Sequence, residues 1–163
     1  MARTAWAAVA VGLAAGCAGS GGSAGGDSPE VRQAVQVLRD AIKAGDIARL
    51  WALLDAKAQT DFDQAADAVK AKYRAADAAG KAELEKEHGL TGAELEALTG
   101  QGYLKSRRFA KKYAELPESQ IGDVKVVGKQ ATVNYVEPDG DKETLKLALR
   151  DGVWKAVLAA PEK

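Results

Sequence analysis

At Pro117 the spacing of apolar residues changes from about one in 3.6 to one in two, and no other feature restricts the fold as much. Downstream, Val124 and Val126 alternate with Asp123 and Lys125, and Val133 and Tyr135 with Thr132 and Asn134. Leu145, Leu147 and Leu149 then alternate with Thr144, Lys146 and Arg150, and Trp154, Ala156 and Leu158 with Lys155 and Val157. Gly128-Lys129-Gln130, Pro138-Asp139-Gly140-Asp141 and Asp151-Gly152 supply tight turns between these runs. Four alternating strands joined this way make an antiparallel meander with one apolar face. That face has to be covered, and only the segment upstream of Pro117 can cover it.

The upstream segment is patterned for helices. Ser28-Pro29-Glu30 combines an N-cap hydroxyl, a proline at the first helical place and an acid in the first turn. Val31, Ala34, Val35, Leu38, Ala41 and Ile42 form a single stripe, Gly45 ends it, and Asp46 caps a second helix with Ile47, Leu50, Trp51 and Leu54 on one face. Phe62, Ala65, Ala66, Val69 and Tyr73 predict a third helix from about Thr60 to Asp77. The polar stretch GKAELEKEHGL is helical in propensity, and Thr91-Gly92-Ala93-Glu94 matches a capping box. Gly100 to Leu116, with Phe109, Tyr113 and Leu116 in helical spacing, predicts the last helix, stopped by Pro117. The expected class is α+β: N-terminal helices packed on a curved four-stranded meander, in one domain over residues 29–160.

Composition narrows the function classes. Among 163 residues, 23 Lys and Arg balance 23 Asp and Glu, so nothing attracts nucleic acid in general. One cysteine forms no internal disulfide and no thiolate metal site, and one histidine serves no site that needs two. Gly-x-Ser-x-Gly, a phosphate loop and His-Glu-x-x-His are all missing from the sequence, and no cofactor or metal is expected.

Residues 1–16 have the build of a secretory signal peptide. Arg3 and the amino terminus are positive, Ala5–Ala15 is uncharged, and small residues close the segment. The uncharged run is too short to span a hydrocarbon layer of about 30 Å as a helix. Leu13-Ala14-Ala15-Gly16-Cys17 resembles the lipobox of bacterial lipoproteins. The resemblance implies cleavage after Gly16, a diacylglyceryl group on the Cys17 sulfur and acylation of the new amino terminus. It implies a cell-envelope location, more in keeping with the outer membrane facing the periplasm than with the inner membrane. Ordinary secretion is the alternative, because Ala14-x-Gly16 also suits a general signal peptidase and would leave Cys17 as a free thiol. Residues 17–28 then form a tether: Gly and Ser at this density bury no apolar surface, and eleven such residues span roughly 18 Å.

Two stretches of the folded part, VRQAVQVLRDAIKAGDIARLWALLD and VKVVGKQATVNYVEPDGDKETLKLALRDGVWKAVL, resemble the opening helix pair and terminal strands of nuclear-transport-factor-two-like (cystatin-like cone) domains. The likeness covers about Glu30–Leu54 and Ile121–Leu158, with a longer helical segment between about Ala56 and Gly100. It implies a curved sheet wrapping a helix around an open pocket. Ketosteroid isomerase and scytalone dehydratase use that pocket for catalysis, and other relatives use it for binding or docking.

Candidate site residues are few. Trp51, Tyr135 and Trp154 are expected to face inward, as pocket lining or simply as core. His88, before Gly89, reads as a histidine in the last turn of a helix, favoured there by the helix dipole. Lys105, Arg107, Arg108, Lys111 and Lys112 form a basic run that suits either an anionic surface or an ordinary solvated helix face. The reading is a lipid-anchored, non-enzymatic binding or accessory domain whose partner is an envelope protein or a small apolar ligand. One alternative is an enzyme with an acid–base site in the cone. The other is a structural accessory whose pocket is filled by its own side chains.

Overall fold

The computed structural model describes residues 27–161. Ser28 accepts from the Val31 amide and opens α1 (Pro29–Ala44), and Gly45, at φ 63°, ends it in the left-handed conformation that only glycine adopts at no steric cost. Asp46 caps α2 (Ile47–Leu53). The next helix, α3 (Ala56–Ala75), starts at Ala56 rather than near Thr60, because the Asp55 carboxylate accepts from the Lys57 amide and caps it there. The polar stretch is α4 (Ala78–His88), and the Thr91–Glu94 capping box opens α5 (Gly92–Glu96) with both reciprocal bonds made.

The single helix expected from Gly100 to Leu116 is three pieces: α6 (Gly100–Tyr103), α7 (Arg107–Tyr113) and a 3-10 turn over Leu116–Glu118. Ser106 causes the break. Its buried hydroxyl accepts from the Phe109 amide at 3.2 Å, giving the backbone an alternative to a continued helical ladder. Pro117 lies inside the 3-10 turn.

The strands are β1 (Gln120–Val127), β2 (Gln130–Val136), β3 (Lys142–Arg150) and β4 (Val153–Ala156), paired antiparallel in the order β1-β2-β3-β4. The sheet is open. Val124 lies opposite Val133, Val133 opposite Leu145, and Leu147 opposite Ala156, so the apolar alternation read from the sequence becomes one buried face. The β1–β2 and β3–β4 turns share one end of the sheet and the β2–β3 turn the other. Asp151 and Gly152 both take positive φ, as a tight hairpin turn requires. The protein is therefore α+β, with its helices N-terminal to the sheet.

Asp55 ties the two layers together. Its amide donates to Ala156 O at 2.8 Å, its Oδ2 accepts from Arg150 Nε at 2.6 Å, and Leu54 forms a parallel bridge with Ala156. No helix among the described residues is long and apolar enough to cross a membrane.

Trp51 is placed by a glycine. A Cβ on Gly100 would meet the Asp63 backbone nitrogen at 2.7 Å and Trp51 Cη2 at 2.9 Å, while the Gly100 amide donates to Asp63 Oδ1 at 3.0 Å. Gly100→Ala forces α3 and α6 apart and is expected to lose about 1–2 kcal/mol, measured as a lower urea midpoint at unchanged slope.

Candidate functional site

Asp61, Gln64, Ala65, Ala68, Val69 and Lys72 recur at helical spacing and share one face of α3. Across from them stand Leu84, Glu87 and His88 from the end of α4, Tyr103 and Arg108, and the segment Ala159–Pro161 that follows β4. Together they enclose a cavity of about 660 Å³, open to solvent and within the size range of small-ligand sites. Its α3 floor is divided evenly between the apolar Ala65, Ala68 and Val69 and the polar Asp61, Gln64 and Lys72.

His88 is buried in the wall of this cavity. Gly89, at φ 64°, ends α4 as expected, yet the ring is only 2% exposed and meets the Tyr103 ring nearly edge-on, centroids 5.8 Å apart. Its Nδ1 is buried without a hydrogen-bond partner. Burial first, and the Lys72 ammonium second, push its pKa below the ordinary 6.5. His88 thus sits in the last turn of α4 as the sequence implied, but its burial favours the neutral ring, because desolvating an imidazolium costs more than the dipole returns. A histidine acting as general base has its second nitrogen oriented by a partner. Nδ1 has no such partner.

The basic run is divided between several tasks. Arg108 forms an ion pair with Glu87, and Arg107 donates to Lys86 O at 3.1 Å, so two cations of α7 meet the C-terminal turn of α4, where the helix dipole favours them. Lys112 Nζ lies 5.9 Å from the centre of the Tyr113 ring, and Lys105 and Lys111 are exposed.

The three aromatics read as pocket lining are in three separate places. Trp51 packs on Gly100, and its carbonyl accepts from Gln59 Nε2. Trp154 lines a groove of about 470 Å³ with α1 residues and Leu53. Tyr135 lines a cleft of about 480 Å³ with Tyr113, Glu137 and Glu143. Burial, then Glu137 and Glu143, hold the Tyr135 hydroxyl up at about 12, so it keeps its proton at neutral pH. Burial also raises the Tyr113 pKa, and its hydroxyl donates to Ala159 O at 2.7 Å. Beside this cleft, carboxylate oxygens of Glu115, Glu137 and Asp139 lie within 4.8 Å of one another. Burial, then Glu115 and Glu143, raise the Glu137 pKa.

Sequence reasoning missed the α3 cavity, since its walls come from five separate parts of the chain. The one available signal was a lone histidine beside a helix-ending glycine, which says where the residue sits but not what closes over it. Cys17 and the cleavage point after Gly16 lie outside the described residues. No protein-family model, curated protein or solved structure matches the chain.

Proposed function

We propose that this chain is a lipid-anchored protein of the bacterial cell envelope whose folded body binds a small, largely apolar ligand in the cavity beneath α3. The anchor reading rests on the lipobox-like Leu13–Cys17 and on the Gly/Ser run that follows it. The cavity is the observation that carries the binding reading: Ala65, Ala68, Val69 and Leu84 give it apolar area, and Asp61, Gln64, Lys72 and the buried His88 offer polar contacts to orient a ligand. The domain is read as binding rather than catalytic because the His88 Nδ1 lacks an orienting partner and Arg108 already engages the Glu87 carboxylate.

The test uses protein extracted from a native bacterial membrane in mild detergent. Intact mass is expected to show a chain starting at Cys17 with added acyl mass, and organic extraction to release a small molecule that is missing from Ala68→Trp, which fills the cavity. An unacylated chain overturns the anchor, and an extract identical for the two proteins overturns the cavity as a ligand site.

A second reading, an acid–base enzyme of the isomerase or dehydratase kind, is favoured by the Tyr135–Glu137 cleft, where a protonated phenol lies beside a carboxylate of raised pKa. A ligand displaced by Tyr135→Phe but not by Ala68→Trp would favour it.

A further inference from the structure

Val127 and Val153 are the exposed large hydrophobic residues among those described, at 66% and 51% exposure. They belong to different hairpins. Val127 pairs with Gln130, Gln130 with Ala148, and Val153 with Arg150, so both flank turns at the same end of the sheet, three strand spacings or about 14 Å apart. Val153 and its neighbour Trp154 line an apolar groove whose other walls include Ala34, Val37 and Leu53.

Pro29 and Glu30, where the chain enters the fold, stand on the rim of this same groove. Cys17 lies twelve positions before Pro29 in the sequence. Charge divides the sheet in the same sense. Lys125 and Lys129 flank Val127 and Arg150 stands beside the Asp151 of the β3–β4 turn, whereas Glu137, Asp139, Asp141 and Glu143 outnumber Lys142 at the opposite turn. Ala159–Pro161, one wall of the α3 cavity, follow β4 away from the valine turns.

We propose that the valine-bearing end is the membrane face of the domain. Val127 and Val153, with Trp154 behind them, contact the headgroup region of the anionic bilayer that holds Cys17, and the acidic end and the α3 cavity face away from lipid. The proposal rests on the anchor proposed above and adds an orientation to it. Tryptophan and small apolar wedges suit the interface, lysines near Val127 are attracted to anionic headgroups, and the carboxylate-rich end is repelled. Entry point and charge select the same end.

The test places the full-length acylated protein in phosphatidylethanolamine–phosphatidylglycerol vesicles whose acyl chains carry bromine, and follows quenching of tryptophan emission. Val127→Asp combined with Val153→Asp is expected to cut the quenching by about half or more, while a tryptophan introduced as Asp139→Trp contributes unquenched emission. Both valines are exposed residues at strand ends beside turns, and circular dichroism checks that the fold is retained. Quenching unchanged in the double variant, or equally strong at position 139, overturns the orientation. So does a dimer of the Cys17→Ser chain that Val153→Asp dissociates, because the valine end would then join two copies. Lack of acyl mass removes the anchor itself, whereas acyl mass with unquenched Trp154 removes only the orientation.

Discussion

Lowering the pH below 6.5 is expected to weaken the fold, and His88→Leu to abolish that weakening. The imidazole is buried, its Nδ1 has no partner, and its pKa in the folded state lies below the ordinary 6.5. The unfolded chain takes up a proton near pH 6.5 while the folded one refuses it. Stability is therefore fully present above that pH and falls as pH drops toward the depressed folded value. The slope approaches about 1.4 kcal/mol per pH unit within that window. His88 is the only histidine, so no other imidazole contributes. The test is urea denaturation at half-unit intervals from pH 7.5 to 5. In His88→Leu the curve should be flat over this range, and the variant should overtake the wild type in stability on the acid side. A wild-type curve that is equally flat would show that the ring takes up its proton as readily in the fold as in the unfolded chain.

Asp55→Ala is expected to cost about 3 kcal/mol, a large share of the roughly 5–15 kcal/mol that holds an ordinary domain folded. Asp55 is 2% exposed and its carboxylate does two tasks: Oδ1 accepts from the Lys57 amide at the start of α3, and Oδ2 accepts from Arg150 Nε on β3. Losing the cap accounts for about 1 kcal/mol, and losing a charge-assisted hydrogen bond for about 1.5–3 kcal/mol, taken near the lower end because Arg150 is 59% exposed. Asp55→Asn keeps the cap and should recover about a third of the loss. The acid limb carries a second signature. The hydrogen bond from Arg150 is the main reason the Asp55 carboxyl titrates below 3.8, so its stabilisation is present above that pH and lost as pH falls through the lower folded value. Arg150→Met should move this loss to higher pH. An Asp55→Ala domain within 1 kcal/mol of wild type would mean that water replaces both bonds.

These two residues differ in how much of their role could be read in advance. Helix starts at Ser28, Asp46 and Thr91, the stops at Gly45 and Gly89, and the four alternating strands were all legible, since each depends on residues within a few positions of one another. Ser106 was not read as a cap, because a serine inside an apolar helical stripe carries no local mark that its hydroxyl will be buried and turned onto the Phe109 amide. Asp55 stood unremarked between two helices. Its partner Arg150 is far along the chain, and only the docking of β4 against the α2–α3 junction brings them together. Trp51, Tyr135 and Trp154 showed inward periodicity, and periodicity assigns a face of an element without saying which neighbouring element that face meets.

By itself, then, the sequence determined the α+β class, the order of elements and the place where the helical half yields to the sheet. Each of these follows from hydrogen bonds and apolar spacing along a short piece of chain. Tertiary structure alone decided that His88 is neutral, that Asp55 joins helix to sheet, and that two valines of separate hairpins share one end beside the point where the chain enters. Burial and electrostatic fields depend on what packs around a group in space, and distance along the chain does not encode that.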